Sequence, residues 1–331
     1  MSRIRCVWWN VDNLYPFVAG KSDDYRPGSE AKYQSKLQAL AGVLSNAPGG
    51  VPDLVLLAEI ALPSHVGGRN ALDDLAAALG GTHSRYLGTR GDGRGITCGA
   101  LWTSALKRGS SPILLHDVMN HAGVPLGRPI VELPMREASR GRDFVVYLNH
   151  WASRKGDRPR SEPKRTEAGK KLVGLVQERV CTSVGSAADP DAMVIAVGDF
   201  NDEPFNAALT DPTGAEQWEA ITRDRTRALA RLPATDLPVL YNPSWRLLAE
   251  PLTRAEELAR KTDMPVGSLE FGDWWCTFDQ LLVSAGTLCG PNPVFDESGL
   301  CLHAVSPLVG PDGHLSGTPS DHLPLCFTLD F

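Results

Sequence analysis

Short apolar runs that break off on acids, amides or imidazoles constrain this chain more than any other feature. Met193 to Val197 runs into Gly198-Asp199-Phe200-Asn201-Asp202-Glu203-Pro204, and Ser320-Asp321-His322-Leu323-Pro324 leads into Leu325 to Leu329. Each apolar run reads as a buried strand. Asp199, Asn201, Asp321 and His322 are therefore expected at strand ends, where a rigid scaffold presents functional groups. Two acids, an amide and an imidazole are poor core residues but suit a hard cation and a phosphate, which points to metal-dependent phosphodiester chemistry.

The same alternation runs through the rest of the chain. Ile4 to Val11 and Leu54 to Ala58 read as strands, and between them Leu37, Leu40, Ala41 and Leu44 recur at helical spacing. Leu72, Leu75, Ala76 and Leu79 repeat that spacing behind an Asn70 cap, and Gly80-Gly81 ends the helix. Further strands are expected at Gly99 to Trp102, Ile130 to Leu133, Phe144 to Asn149 and Phe278 to Val283, with one helix from about Pro163 to Val180. Many strands with few helices suit an α/β fold of two packed sheets covered by helices on the outside. The charged stretch from about 215 to 275, with a helical segment near Thr253 to Lys261 and Tyr241-Asn242-Pro243-Ser244-Trp245, reads as an insertion within one domain spanning 1–331.

Composition narrows the class. The 42% apolar content is enough for a sizeable core. The balance of 33 basic against 39 acidic residues gives a net charge of −6, so a polyanion would have to meet a local basic patch. The seven cysteines are scattered and never spaced Cys-x-x-Cys, which argues against a zinc knuckle or a dense disulfide framework. The start Met-Ser-Arg-Ile-Arg enters strand-like sequence directly, with no signal core or membrane-spanning run. A cytoplasmic protein without membrane association or an obligate protein partner is expected.

Inspecting the other strand ends adds Asn10 and Asp12, Glu59, His150 and Asp279. In order, Trp-Asn-Val-Asp-Asn-Leu (9–14), Ala-Glu (58–59), Asn-His-Trp-Ala-Ser-Arg (149–154), Gly-Asp-Phe-Asn-Asp (198–202), Phe-Asp-Gln (278–280) and Ser-Asp-His (320–322) resemble the endonuclease/exonuclease/phosphatase, or DNase I-like, superfamily. Asp92-Gly-Arg-Gly-Ile96, and Ser161-Glu-Pro-Lys-Arg165 after Arg154, are similar to a bacterial, nuclease-like branch of it. The resemblance implies a four-layer α-β-β-α sandwich of two mixed sheets flanked by helices, and P–O bond cleavage with Mg²⁺ or Mn²⁺, with Ca²⁺ as a third candidate. Oxygen donors that leave waters on the ion agree with a small hard cation.

Position by position, the resemblance implies that Glu59 is the principal metal ligand, with Asn10, Asp12 and Asp321 around it. Asp199 matches the residue that orients or deprotonates the attacking water, and Asn201 the amide that holds water and phosphate. His322 would bind a phosphoryl oxygen with Asp279 fixing its tautomer, and His150 would stand near the leaving oxygen.

Each of these residues also has an ordinary reading. Asp12-Asn13 could be turn chemistry ending the first strand, and Gly91 to Gly95, which carries Arg94, a plain hairpin. Arg128 could be a surface charge, and the basic run from Arg154 to Arg165 reads by default as a solvated face. Because that run leaves directly from His150, Arg154 is expected to contact a phosphate backbone. Trp151 and Trp245 are the candidates for base stacking, whereas Trp8, Trp9, Trp274 and Trp275 read as core.

Trp275-Cys276-Thr277-Phe278-Asp279-Gln280 lacks the Asp-Arg pair that the motif of inositol-phosphate phosphatases of this superfamily carries, and no apolar hairpin suggests a sphingomyelinase. Nucleic acid is the leading substrate. A small phosphorylated substrate, or a non-catalytic binding member of the same fold, are the alternatives.

Overall fold

The computed structural model describes residues 2–21, 23–155, 158–180, 191–212, 220–230, 240–248, 267–271, 274–289, 294–311 and 314–331. Its strands in chain order are β1 (Arg3–Leu14), β2 (Leu54–Ala61), β3 (Ser84–Leu87), β4 (Ile96–Trp102), β5 (Leu106–Arg108), β6 (Leu114–His116), β7 (Ile130–Glu137) and β8 (Asp143–His150). They continue with β9 (Val194–Asp199), β10 (Ile221–Thr222), β11 (Leu240–Tyr241), β12 (Leu269–Phe271), β13 (Trp274–Cys276), β14 (Asp279–Val283), β15 (Cys301–Leu302) and β16 (Leu325–Asp330). The long helices are α1 (Glu30–Ser45), α2 (Ala71–Ala78) and α3 (Arg158–Val180).

Among the described residues, one sheet has the order β15-β16-β1-β2-β4-β3 and the other β10-β11-β14-β9-β8-β7-β5, with β6 paired to β7. Both are mixed: β1 and β2 run parallel, as do β8 and β9, while β1–β16 and β9–β14 are antiparallel. The reason lies in the burial of β1 on both faces. Ile4, Cys6 and Trp8 point between the sheets, where they meet Val146, Leu148, Ile195, Val197, Leu281 and Phe327. Val7, Trp9 and Val11 face the other way, against Leu37, Leu40 and Leu44 of α1 and Leu72 and Leu75 of α2. On the far side Tyr147, Ala196 and Leu282 pack with Leu172 and Val176 of α3. Helix, sheet, sheet and helix thus form the four layers of the sandwich, and strands buried on both faces read as near-continuous apolar runs.

Local chemistry sets the helix limits. Ser29 accepts from the Lys32 amide at the start of α1, and Asn70 from the Leu72 amide at the start of α2. Gly80 and Gly81, at φ of 100° and 72°, carry the chain out of α2.

Two expectations need adjustment. The α3 helix starts at Arg158, so Ser161-Glu-Pro-Lys-Arg165 is helical from its first residue, and Pro163 lies inside the helix as its sixth residue, where it has no amide to donate to the preceding turn. The described parts of the expected insertion join the fold. β10 and β11 pair in parallel and extend the eight-stranded sheet through Tyr241 opposite Val283, while β12 and β13 form a two-stranded ladder. Two-residue strands are too short to carry a period. The helical segment expected at Thr253 to Lys261 lies outside the described residues.

Candidate active site

Strand register gathers the candidate residues at one rim of the sandwich. Along the end of the eight-stranded sheet, Asp199 pairs with His150 on one side and Asp279 on the other. Gly198, one residue earlier, is required by this packing: a Cβ there would lie 2.3 Å from the Asn149 carbonyl oxygen. The opposing sheet contributes Asn10 and Glu59, each at a register shift: between Asn10 and Leu14 of β1, and between Leu57 and Ile60 of β2. Bulges of this kind re-aim side chains beside active sites.

A cavity of about 290 Å³ results, lined among others by Asn10, Asp12, Glu59, His150, Asp199, Asn201, Asp321 and His322. Arg94, Arg128 and Arg154 also line it. Asp279 stands behind His322 rather than on the cavity wall, fully buried, with Oδ2 2.7 Å from His322 Nδ1 and Oδ1 accepting from the Trp8 indole at 2.8 Å. Trp9 donates from its indole to the His322 carbonyl at 2.9 Å. The neighbouring tryptophans of β1 therefore fix both halves of the Asp279–His322 pair.

Among the described residues, the non-glycine residues with positive φ are Asp12 (45°), Asn13 (60°), Glu59 (65°) and Asn201 (51°), and all four line the cavity. Left-handed backbone costs about 1–3 kcal/mol at such residues and persists only where surroundings hold it. The holding contacts are visible. The Asn13 amide donates to Glu59 Oε2 at 3.0 Å, and the Asp12 amide to Asn10 Oδ1 at 3.1 Å. The Asn201 amide donates to Asp199 Oδ1 at 2.9 Å, and Arg154 Nε donates to the Asn201 carbonyl at 2.7 Å.

The two sheets meet chemically where the Asn10 side-chain amide donates to Asp199 Oδ2 at 3.1 Å. Asp199 Oδ2 lies 3.7 Å from His150 Nε2 and 3.9 Å from His322 Nε2. Burial raises the Asp199 carboxyl to about 7, with Asp279 adding to the rise and His322 opposing it. Burial also acts on His322, lowering it, but Asp279, Asp199 and Asp321 outweigh that and hold it well above the ordinary histidine range. His150 goes the other way. Burial, reinforced by Arg128, His322 and Arg94, keeps it well below that range, so it is neutral at pH 7. The rim thus presents a carboxyl poised near neutrality, one cationic imidazole and one neutral imidazole, an arrangement suited to proton transfer beside an anion.

Among the described residues no three His, Cys, Asp or Glu side chains form a metal-holding group, so a closed all-protein cage is not present. Glu59 nevertheless keeps Oε1 in the cavity with only long contacts, 3.4 Å to His150 Nε2 and 3.5 Å to Arg94 Nη2. One such carboxylate beside the Asn10 amide oxygen, with room for water, fits a hard ion that retains most of its hydration. Asp321 is partly exposed and 3.8 Å from Lys155 Nζ, and Asp12 is partly exposed with Lys36 on its backbone carbonyl.

The arginines are more committed than the sequence suggests. Arg128 clasps Asp92 Oδ2 at 2.9 and 3.1 Å and donates to the Trp151 carbonyl at 3.0 Å. Arg94 reaches Asn13 Oδ1 at 3.0 Å as well as Glu59. Arg154, expected on a phosphate backbone, lines the cavity while pairing with Asp202, donating to Asn206 and the Asn201 carbonyl, and lying with Cζ 4.9 Å from the Phe278 ring centre. Arg165, read as part of a solvated run, is buried with Nε 3.0 Å from Asp202 Oδ1. A buried Asp shared by two arginines is what the sequence could not show, since α3 folds the second arginine back onto the loop after β9.

Two predictions follow from this pairing. Arg154→Ala, by releasing the Asn201 carbonyl, is expected to reduce turnover by about 10²-fold, the effect of a misplacement near 1 Å, in steady-state kinetics. Arg165→Ala, which leaves Asp202 paired with Arg154 alone, is expected to lower stability by about 1–3 kcal/mol in denaturant titration. The tryptophans move too. Trp151 is buried edge-on against Phe200, with ring centres 4.8 Å apart, closes the core under α3, and is not among the residues lining the catalytic cavity. Trp245 lies outside the cavity lining, against Phe205 and under Arg223, because Asn242 and Ser244 around it are tied to Gln280 and Leu281 of β14.

Among the described residues no helix is long and apolar enough to cross a membrane. No curated protein matches the chain. Solved structures do. Caenorhabditis elegans TDP2 in truncated form aligns at TM-score 0.56 with 15% identity, covering 99% of this chain and 98% of that one. D. rerio TDP2 complexed with single strand DNA product aligns at 0.57 with 15% identity and full coverage of both chains. The human Nocturnin catalytic domain with bound sulfate anion aligns at 0.56 with 16% identity, covering 100% of this chain and 95% of that one. The profile of the Endonuclease/Exonuclease/phosphatase family matches residues 6–264, and the chain belongs to that family, whose members as a class hydrolyse phosphoric esters.

Proposed function

We propose that this protein is a divalent-metal-dependent phosphodiesterase, a nuclease acting on DNA or RNA. The observation that carries the reading is the pairing of Asp199, raised to about 7, with His322, held cationic by Asp279, across a cavity that also holds Glu59 and Asn10. In this reading Asp199 accepts the proton of the attacking water, which Asn201 helps to orient. His322 donates from Nε2 to a phosphoryl oxygen, and Asp279 keeps the ring oriented and charged. Neutral His150 stands at the same phosphate on the leaving-group side. Glu59 and Asn10, with Asp12 and Asp321 near them, are the residues that would hold Mg²⁺ or Mn²⁺. A bound ion of this type supplies charge stabilisation to the phosphate undergoing substitution.

Nucleic acid is favoured as the substrate by the likeness to a TDP2 structure that contains a single-strand DNA product, and by three arginines and Lys155 on the cavity wall. Arg94 and Lys155 are its more exposed cations. The test is a panel of plasmid, single-stranded DNA, RNA, phosphoinositides and bis(p-nitrophenyl) phosphate with Mg²⁺, Mn²⁺ or Ca²⁺. Nucleic acid cleavage that needs the metal is the expected result, and cleavage confined to phosphoinositides would replace the nuclease reading. Chelator is expected to abolish turnover while leaving the thermal unfolding midpoint within a few degrees, because the oxygen donors sit on strands that fold without the ion.

A further inference from the structure

We propose that a second cavity, beside the catalytic one, is a subsite for a single nucleobase next to the scissile phosphate; this rests on the phosphodiesterase reading. The cavity has a volume of about 170 Å³ and lies between the β6–β7 connection and the start of α3. Arg128, His150 and Ser153 line both cavities, so a group bound in one is a neighbour of a phosphate bound in the other. Its remaining walls are mainly apolar: Val118 and Leu126 on one side, Ala168 on the other. Lys164, exposed on α3, adds positive charge, while Arg128 is paired with Asp92, which lines the cavity as well.

Three features select the occupant. Apolar walls with a few convergent polar groups are the usual make-up of a small-ligand site and fit a flat heterocycle rather than a bare phosphate. His150, in the wall between the cavities, sets Nε2 3.7 Å from Asp199 Oδ2 and so carries the catalytic rim up to this cavity. The β6–β7 connection that supplies Val118 and Leu126 also carries Met119 and Val124, 40% and 54% exposed, and a Met119–Pro125 bridge joins its two arms. Lys164 is placed to meet the next phosphate of the strand.

The experiment measures binding separately from cleavage. Dinucleotides with a methylphosphonate link, carrying both bases or an abasic sugar on one side or the other, are titrated into the protein by calorimetry. Loss of the base on one particular side is expected to weaken binding about tenfold, the scale of one stacked base. Ala168→Leu, which fills the cavity from α3, is expected to erase that difference. Leu126→Ala, on the β6–β7 connection and only partly buried at the edge of the core under α3, is expected to reduce it severalfold, and keeps the test open if Ala168→Leu does not fold. Equal affinity for all ligands in the wild type, or an undiminished difference in Leu126→Ala and a folded Ala168→Leu, would overturn the subsite. Base-dependent binding without hydrolysis of any phosphodiester would refute the catalytic reading alone, and hydrolysis with base-blind binding would refute the subsite alone.

Discussion

Asp199→Asn is expected to lower kcat by about 10²–10⁴-fold, the range for loss of a positioned general base, with KM changed far less. The isosteric amide can still be held by Asn10 and the Asn201 amide region, so the cavity keeps its shape while the proton acceptor is lost. Because the effect belongs to the transition state, kcat and kcat/KM should fall together. Single-turnover cleavage of one oligonucleotide at saturating metal measures it. Turnover within about threefold of wild type would remove Asp199 from the chemistry.

His322→Ala should be the second large effect, again about 10²–10⁴-fold in kcat, and here stability changes as well. Asp279 is fully buried and would keep only the Trp8 indole and its backbone surroundings, so an uncompensated charge costs about 3–5 kcal/mol. His322→Gln separates the two consequences. It can still donate to Asp279 but cannot carry positive charge, so it should recover part of the stability and little of the rate. Recovery of the rate with His322→Gln would show that charge on this residue is not needed.

Much of this arrangement was legible in the sequence, for a physical reason. Residues such as Asp199, Glu59 and His322 stand out because they interrupt runs like Val194–Val197 and Leu54–Ala58, which are buried on both faces and tolerate no polar group along their length. The same logic located the α2 cap at Asn70 and its stop at Gly80-Gly81. What stayed hidden depends on contacts between distant segments. Nothing in Trp8 announces a hydrogen bond to Asp279, and local composition cannot tell a buried arginine such as Arg165 from a solvated one. Trp151 carries the same apolar body whether it stacks on a base or on Phe200, and only the position of α3 decides.

The left-handed residues were equally silent. Asp12, Glu59 and Asn201 look like ordinary turn or strand residues, yet their positive φ reflects how the bulges of β1 and β2 and the loop after β9 are bent toward one cavity. Arg154 gains its place in the account from that strain, because it donates to the carbonyl of Asn201.

The most direct measurement of the central claim is cleavage of an oligonucleotide in ¹⁸O-labelled water under single-turnover conditions, with Mg²⁺ present or chelated. Water attack at phosphorus governed by Asp199 predicts one labelled oxygen on the phosphate product, none on the released alcohol, and no cleavage without the metal. Label on the alcohol, or turnover that survives chelation, would contradict it.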